Sequence, residues 1–280
     1  MPAESTQFFQ QLFSLEGQTA LVTGGSGALG SEMARALAQA GAHVAIMGRH
    51  AEACERSAAD IRAGGGLALA IAFDVLDRAA LEQAAREIAA ALGPVEILVN
   101  AAGGNHPQAT TTSERSFFAL EDEMVAHVLE ANFSGTFQAC QVFGRAMAER
   151  GQGCIVNIAS MSGLRPLTRV PAYSAAKAAV INLTQWLAVH MAQEYSPRIR
   201  VNALAPGFFL TEQNRYLMIE AESGTPTPRM QTILAHTPMG RLGAAPDLVG
   251  ALLWLVSPAA AFVTGQVIAV DGGFSAFGGV

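Results

Sequence analysis

Tyr173 and Lys177 stand four residues apart in Tyr-Ser-Ala-Ala-Lys, and Lys177 is the chain's one lysine beside 16 arginines. On a helix, an i,i+4 pair shares one face, one turn apart. A phenol with a pKa of about 10 moves protons poorly at neutral pH. A neighbouring ammonium favours the phenolate, and a cationic cofactor ring would add to that. Lowering the pKa to about 7 takes about 4 kcal/mol, at about 1.36 kcal/mol per unit. The expectation is a tyrosine tuned for proton transfer, with an ordinary surface Tyr/Lys pair as the alternative.

A second chemical stretch lies near the start. Thr19-Ala20-Leu21-Val22-Thr23 is a short β-prone run that ends in Gly24-Gly25-Ser26-Gly27-Ala28-Leu29-Gly30. Gly25, Gly27 and Gly30 satisfy G-x-G-x-x-G directly after a strand and before a helix, the context in which backbone N–H groups meet a pyrophosphate. The bland alternative is a glycine-rich turn. About 20 residues on, an NAD site places a carboxylate at the end of the second strand. Here Gly48-Arg49 stands instead. A guanidinium there suits a 2′-phosphate, so NADP(H) is expected over NAD(H); stacking of Arg49 on adenine is the alternative.

These groups need a scaffold. Strands are read at 19–23, 43–47, 67–73, 95–100, 154–158, 199–204 and 267–270. Helices are read at 31–40, 50–63, 78–92, 118–150, 172–194 and 246–256, with residues 207–235 irregular. Strands alternating with helices mean βαβ crossovers and a parallel sheet covered on both faces. The fold expected is a doubly wound α/β Rossmann sheet of seven strands in a single domain, 1–280. Residues 1–17 form a leader whose Phe8, Phe9, Leu12 and Phe13 are available for packing.

Hydrophobic residues are 51% of the chain and charged ones 14%, enough apolar side chain for a sizeable core. A net charge of -6 without a basic block argues against a nucleic-acid partner. Cys54, Cys140 and Cys154 and the scattered histidines show no metal-ligand spacing, so no metal is expected. The thiols read as buried and apolar. With neither a signal-peptide pattern nor an 18-residue apolar run, no membrane span is expected and the cytoplasm is the expected compartment.

Taken together, the motifs resemble the short-chain dehydrogenase/reductase family from about residue 16 to the end. Thr23-Gly24 through Gly30 resembles TGxxxGxG, with Ala28 at the usual middle glycine. Asp74-Val75 resembles the adenine-contacting pair, and Asn100-Ala101-Ala102-Gly103 resembles NNAG. Asn132 stands at the family's helix asparagine, and Ser160 precedes Tyr173 by the family's spacing. Pro206-Gly207, with Phe209 and Thr211, resembles the stretch that holds the nicotinamide carboxamide, and Val270-Asp271-Gly272-Gly273 the C-terminal signature. The resemblance implies that Ser160 polarises a substrate carbonyl, Tyr173 transfers the proton and Lys177 lowers the tyrosine pKa and binds the ribose. It also implies that Asn132 holds a water, and that the enzyme is a homotetramer.

Substrate groups should come from loops at the carboxyl ends of the strands. Gly103-Gly104-Asn105-His106-Pro107, Arg165-Pro166-Leu167-Thr168-Arg169 and the 207–235 segment, a candidate lid, offer Asn105, His106, Arg165, Arg169, Gln213 and Asn214. This set suits a polyhydroxylated anion, since a guanidinium holds a carboxylate in two parallel bonds. It also resembles the mannonate oxidoreductase (fructuronate reductase) branch of the family, which interconverts a keto sugar acid and an aldonate. The alternatives are a 3-oxoacyl reductase, a sugar-alcohol dehydrogenase, a non-catalytic cofactor-binding sensor, and arginines that merely pair with local acids such as Glu212.

Overall fold

The computed structural model describes residues 3–211, 214–220 and 223–279. Seven short apolar runs become strands β1 (Thr19–Thr23), β2 (His43–Gly48), β3 (Ala68–Ala72), β4 (Val95–Asn100), β5 (Gly153–Ile158), β6 (Ile199–Pro206) and β7 (Val267–Val270). They form one sheet in the order β3-β2-β1-β4-β5-β6-β7, and every neighbouring pair is parallel. Residues of β1 and β6 are buried throughout, which is why these strands read as continuous apolar runs instead of alternating ones.

Helices α1 (Ala3–Phe13), α2 (Ala28–Gln39), α3 (Ala51–Ala63), α4 (Arg78–Ala91), α5 (Asp122–Leu129), α6 (Gly135–Arg150), α7 (Met161–Leu164), α8 (Pro171–Glu194), α9 (Arg215–Met218), α10 (Pro228–Ala235) and α11 (Val249–Val256) complete the chain. Two large apolar clusters lie on opposite faces of the sheet. Val22, Ile46 and Val99 join Met33, Leu37 and Leu252 on one; Leu21, Met47 and Leu98 join Leu81, Ile88 and Phe143 on the other. Strand order reverses between β1 and β4, which opens a crevice at the carboxyl ends of the strands, where such sheets hold ligands.

The expected 118–150 helix is divided. A 3₁₀ turn at Phe117–Ala119 precedes α5, and a π-helical turn, Glu130–Ser134, separates α5 from α6. The cause is Asn132: its amide nitrogen donates to Val128 O at 2.8 Å and to Gly104 O at 2.7 Å, while Thr136 Oγ1 donates to the Asn132 carbonyl at 2.8 Å. Side chains competing for backbone partners loosen the i→i−4 ladder.

Among its described residues, the 207–235 stretch is not wholly irregular. It holds α9, α10 and an isolated bridge between Ile219 and Pro226. Thr227 Oγ1 accepts from Met230 N at 3.2 Å and Pro228 takes the first helical position, a sufficient start for α10. In the leader, Phe8, Phe9 and Phe13 are exposed, contrary to the packing role read for them, and fully buried Leu15 is the anchor, with its N–H on Ala40 O at 2.8 Å. All three cysteines are buried and unbonded to one another, as expected. No helix among the described residues is long and apolar enough to cross a membrane.

Candidate active site

The glycine loop is built by close approach. Gly24 adopts φ +66° against the main chain of Ala101 and Ala102, and a Cβ there would lie 2.8 Å from three backbone atoms. A Cβ on Gly30 would sit 2.2 Å from the Gly24 carbonyl oxygen. Gly27, by contrast, faces outward, with only that carbonyl within 4 Å of such a Cβ. Gly27 caps α2 without a side-chain hydrogen bond, no acid lies in the first turn, and exposed Ala28 opens the helix before Leu29. The helix N–H groups are therefore open to a pyrophosphate, and the loop fits a dinucleotide. Ser26 packs below Gly48, where a Cβ would meet its Oγ at 2.8 Å, and Arg49 is exposed at the end of β2.

Three residues read as cofactor contacts turn their side chains elsewhere. Asn100 is buried and donates to Asn157 Oδ1 at 2.9 Å and Cys140 Sγ at 3.3 Å, and Asn157 donates to Thr184 Oγ1 at 2.8 Å. This polar bridge ties β4, β5 and α8 under the crevice, and its lower members, Asn157 and Thr184, were not singled out from the sequence. Val75 is buried where a Cβ on Gly135 would meet it at 2.6 Å, so only its backbone faces outward contacts. Phe209 is also buried, its ring filling the space beside Gly243. Asp74 accepts from Leu76 N at 3.0 Å, an Asx turn that fixes the loop after β3. Ala101 N donates to Thr23 O at 3.1 Å and Ala102 N to Thr23 Oγ1 at 3.3 Å, so Thr23 pins the 101–103 turn. Gly103 follows with φ +138° against Asn132. Gly207, after Pro206, lies where a Cβ would meet Asp271 at 2.6 Å, joining the ends of β6 and β7.

The Ser160, Tyr173 and Lys177 side chains meet where β5 gives way to α7 and α8. Ser160 caps α7, and its Oγ accepts from Ser162 N at 3.1 Å and from Ser162 Oγ at 3.0 Å. With those bonds received, the Ser160 proton is left to point away from α7. The S-x-S spacing is the sequence signal that points to Ser162. Gly163 lets α7 lie directly on α8, since a Cβ there would come within 2.6 Å of the Lys177 backbone. That contact brings Ser160 beside Tyr173. Lys177 Nζ donates to Ile158 O at 2.7 Å and lies 5.7 Å from the centre of the Tyr173 ring.

Burial holds the Tyr173 phenol above its ordinary value, and the Ser160 hydrogen bond only partly opposes this. Burial also lowers Lys177 to about 8. Without a cofactor, then, burial keeps the phenol above its ordinary value. The Lys177 shift has a sign that can be tested. Its folded pKa lies below its unfolded value of 10.5, so between about 8 and 10.5 the unfolded chain holds the extra proton and stability rises with pH. The cofactor-free protein should gain about 3 kcal/mol relative to Lys177→Met across that window, measured by denaturant unfolding. A pH-independent difference would contradict a buried ammonium.

The substrate loops are only partly as expected. The Asn132 side chain is committed: besides its two donated bonds, Oδ1 accepts from Gly104 N at 3.0 Å. Its amide clamps the loop after β4. Asn214 is likewise a loop brace, accepting from Thr211 N at 2.9 Å and donating to Phe209 O at 2.7 Å. His106 Nδ1 accepts from Gln108 N at 3.2 Å and its ring meets His127 edge-on; Asn105 is exposed and donates to Thr110 Oγ1 at 2.7 Å. Arg165 and Arg169 are exposed, with no ion pair among the described residues. Gln213 and Glu212 lie outside the described residues.

Comparison with known proteins agrees with this architecture. A family model described as short chain dehydrogenase matches residues 18–221. An uncharacterised oxidoreductase, UxuB, of Bacillus subtilis is 48% identical over 276 residues, covering 95% of this chain and 98% of that protein. A Haemophilus influenzae structure with bound NAD, described as a candidate D-mannonate oxidoreductase, is 40% identical with a TM-score of 0.90, covering 95% and 98%. A gluconate 5-dehydrogenase from Burkholderia cenocepacia, in complex with NADP and tartrate, is 34% identical with a TM-score of 0.85, covering 96% and 99%. The chain belongs to the short-chain dehydrogenase/reductase family. It is an oxidoreductase that uses a nicotinamide cofactor on CH–OH groups.

Proposed function

We propose that this enzyme is an NADP(H)-linked oxidoreductase that interconverts a keto sugar acid and its aldonate, of the D-fructuronate/D-mannonate type. The observation that carries the substrate half is Arg169. It stands four residues before Tyr173, is exposed and has no acid partner among the described residues, so its guanidinium is available to a carboxylate. The mannonate and gluconate activities attached to the Haemophilus and Burkholderia proteins support the same class. Their cofactors differ, NAD in one and NADP in the other, so the cofactor half rests on Gly48-Arg49 of this chain.

When bound, the nicotinamide supplies the hydride for ketone reduction or accepts it from the alcohol. Tyr173 passes its phenol proton to the carbonyl oxygen as that oxygen gains charge. Ser160, oriented by Ser162, donates a second hydrogen bond to the same oxygen. The Lys177 ammonium steadies the phenolate left behind. Asn132 and Thr23 act at one remove by fixing the loops after β4 and β1. Residues 207–235 form the lid that closes the cleft against water.

The test is reduction of D-fructuronate, D-fructose and an acetoacetyl thioester, each with NADPH and with NADH. The expected result is the highest kcat/KM for D-fructuronate with NADPH. Preference for the thioester would reject the sugar-acid reading, and preference for NADH the cofactor reading. Tight NADPH binding without turnover of any ketone would favour the sensor.

A further inference from the structure

Arg229, on the lid helix α10, was not among the residues read as substrate contacts. Its position runs against three local energies. It lies in the first turn of α10, where the helix dipole disfavours a cation. Its Nε is buried without a hydrogen-bond partner among the described residues, and an unsatisfied buried donor is costly. Burial depresses its pKa, and the like charge of Arg169, on the loop between Ser160 and Tyr173, depresses it further. Neither arginine has an ion-pair partner among the described residues.

Arg169 shows strain of its own. It is the one residue other than glycine with positive φ among the described residues, at 76°. A non-glycine residue there costs of order 1 kcal/mol or more and persists only where its surroundings hold it. The hold is the bond from Thr111 N to its carbonyl at 2.9 Å, which links the loop after β4 to the loop before α8. Each of the unfavourable charge terms reverses if an anion lies between the two guanidiniums: it accepts from the buried Nε, suits the positive end of α10 and screens the two cations from each other.

We propose that Arg229 and Arg169 form a two-guanidinium clamp for the substrate carboxylate, and that Arg229 thereby draws the lid helix onto a bound sugar acid. This rests on the sugar-acid reading above and adds a specificity residue to it. A carboxylate has two oxygens and room for a donor fork on each. One fork comes from the fixed loop beside Tyr173 and the other from the lid, so closure is coupled to the charge on the substrate. A neutral ketose offers the clamp nothing, and it should bind without the lid contact.

The experiment compares wild type, Arg229→Ala, Arg229→Lys and Arg169→Ala with D-fructuronate and with uncharged D-fructose, alongside the NADPH dissociation constant of each. Losing a charge-assisted pair should raise KM for D-fructuronate about 10- to 100-fold in Arg229→Ala and in Arg169→Ala. KM for D-fructose should move less than about twofold, Arg229→Lys should recover part of the loss, and NADPH affinity should be unchanged. If wild type prefers D-fructuronate and Arg229→Ala keeps its KM, the clamp is wrong and the sugar-acid reading survives. If wild type shows no preference for the sugar acid, both fall. A variant that loses NADPH binding is replaced by Arg229→Gln, which keeps the side chain's polarity without its charge; an unchanged KM there overturns the clamp equally.

Discussion

Tyr173→Phe is expected to lower kcat about 10³- to 10⁴-fold while leaving the NADPH dissociation constant within about a factor of two. The change removes one oxygen and keeps the ring, so the packing of the first turn of α8 and the position of Lys177 behind it are preserved. What is lost is the one proton carrier adjoining both Ser160 and the Lys177 ammonium. Ser160 cannot take over, because its Oγ accepts both its bonds from Ser162 and has no base there to reload it. Ser160→Ala should therefore be milder, about 10²- to 10³-fold, as for a single oxyanion donor. Turnover near wild type in Tyr173→Phe, measured at saturating substrate, would remove the tyrosine from the chemistry.

Gly30→Ala is the second large effect expected: NADPH affinity should fall at least about tenfold. The new methyl would lie 2.2 Å from the Gly24 carbonyl oxygen and 2.8 Å from its carbon. These are backbone atoms, not the tip of a pliable side chain, so the loop itself must move. Gly24 has no room to retreat, being held against Ala101 and Ala102. The strain therefore passes to the start of α2, whose N–H groups would receive the pyrophosphate. Gly250→Ala is the control. It lies in α11 with nothing within 4 Å of its added methyl, and alanine in a helix is favoured over glycine by about 1 kcal/mol. Titration of both variants with NADPH reads the difference, and equal affinity would mean that the loop does not hold the pyrophosphate.

The parts of the fold that were legible are those with a strong period or a sharp boundary. β1, β4 and β7 begin and end at the residues read for them, because each is a short β-prone run with a sharp boundary at both ends. Gly24 to Gly30 announced itself because strand, glycines and helix follow one another without a gap. The break at Glu130–Ser134 was not legible, since it depends on Asn132 reaching Gly104, 28 residues away. Asn100 and Asn214 illustrate the same limit from another side. A motif names a residue but not the direction of its side chain, and here one amide points into the core and the other braces its own loop. Arg229, a lone arginine, carries no sequence pattern; its meaning comes from a buried, unpartnered Nε in the first turn of α10. The tyrosine–lysine pair was legible from its spacing and the motifs around it, yet spacing could not reveal that burial raises the phenol.

The most direct measurement is a crystal structure of the enzyme with NADP⁺ and D-mannonate. The alcohol oxygen to be oxidised should lie within about 3 Å of both Tyr173 Oη and Ser160 Oγ, with its carbon facing the nicotinamide and Lys177 beneath the phenol. A sugar acid bound away from that pair of hydroxyls, or a nicotinamide lying outside the crevice between β1 and β4, would contradict the account.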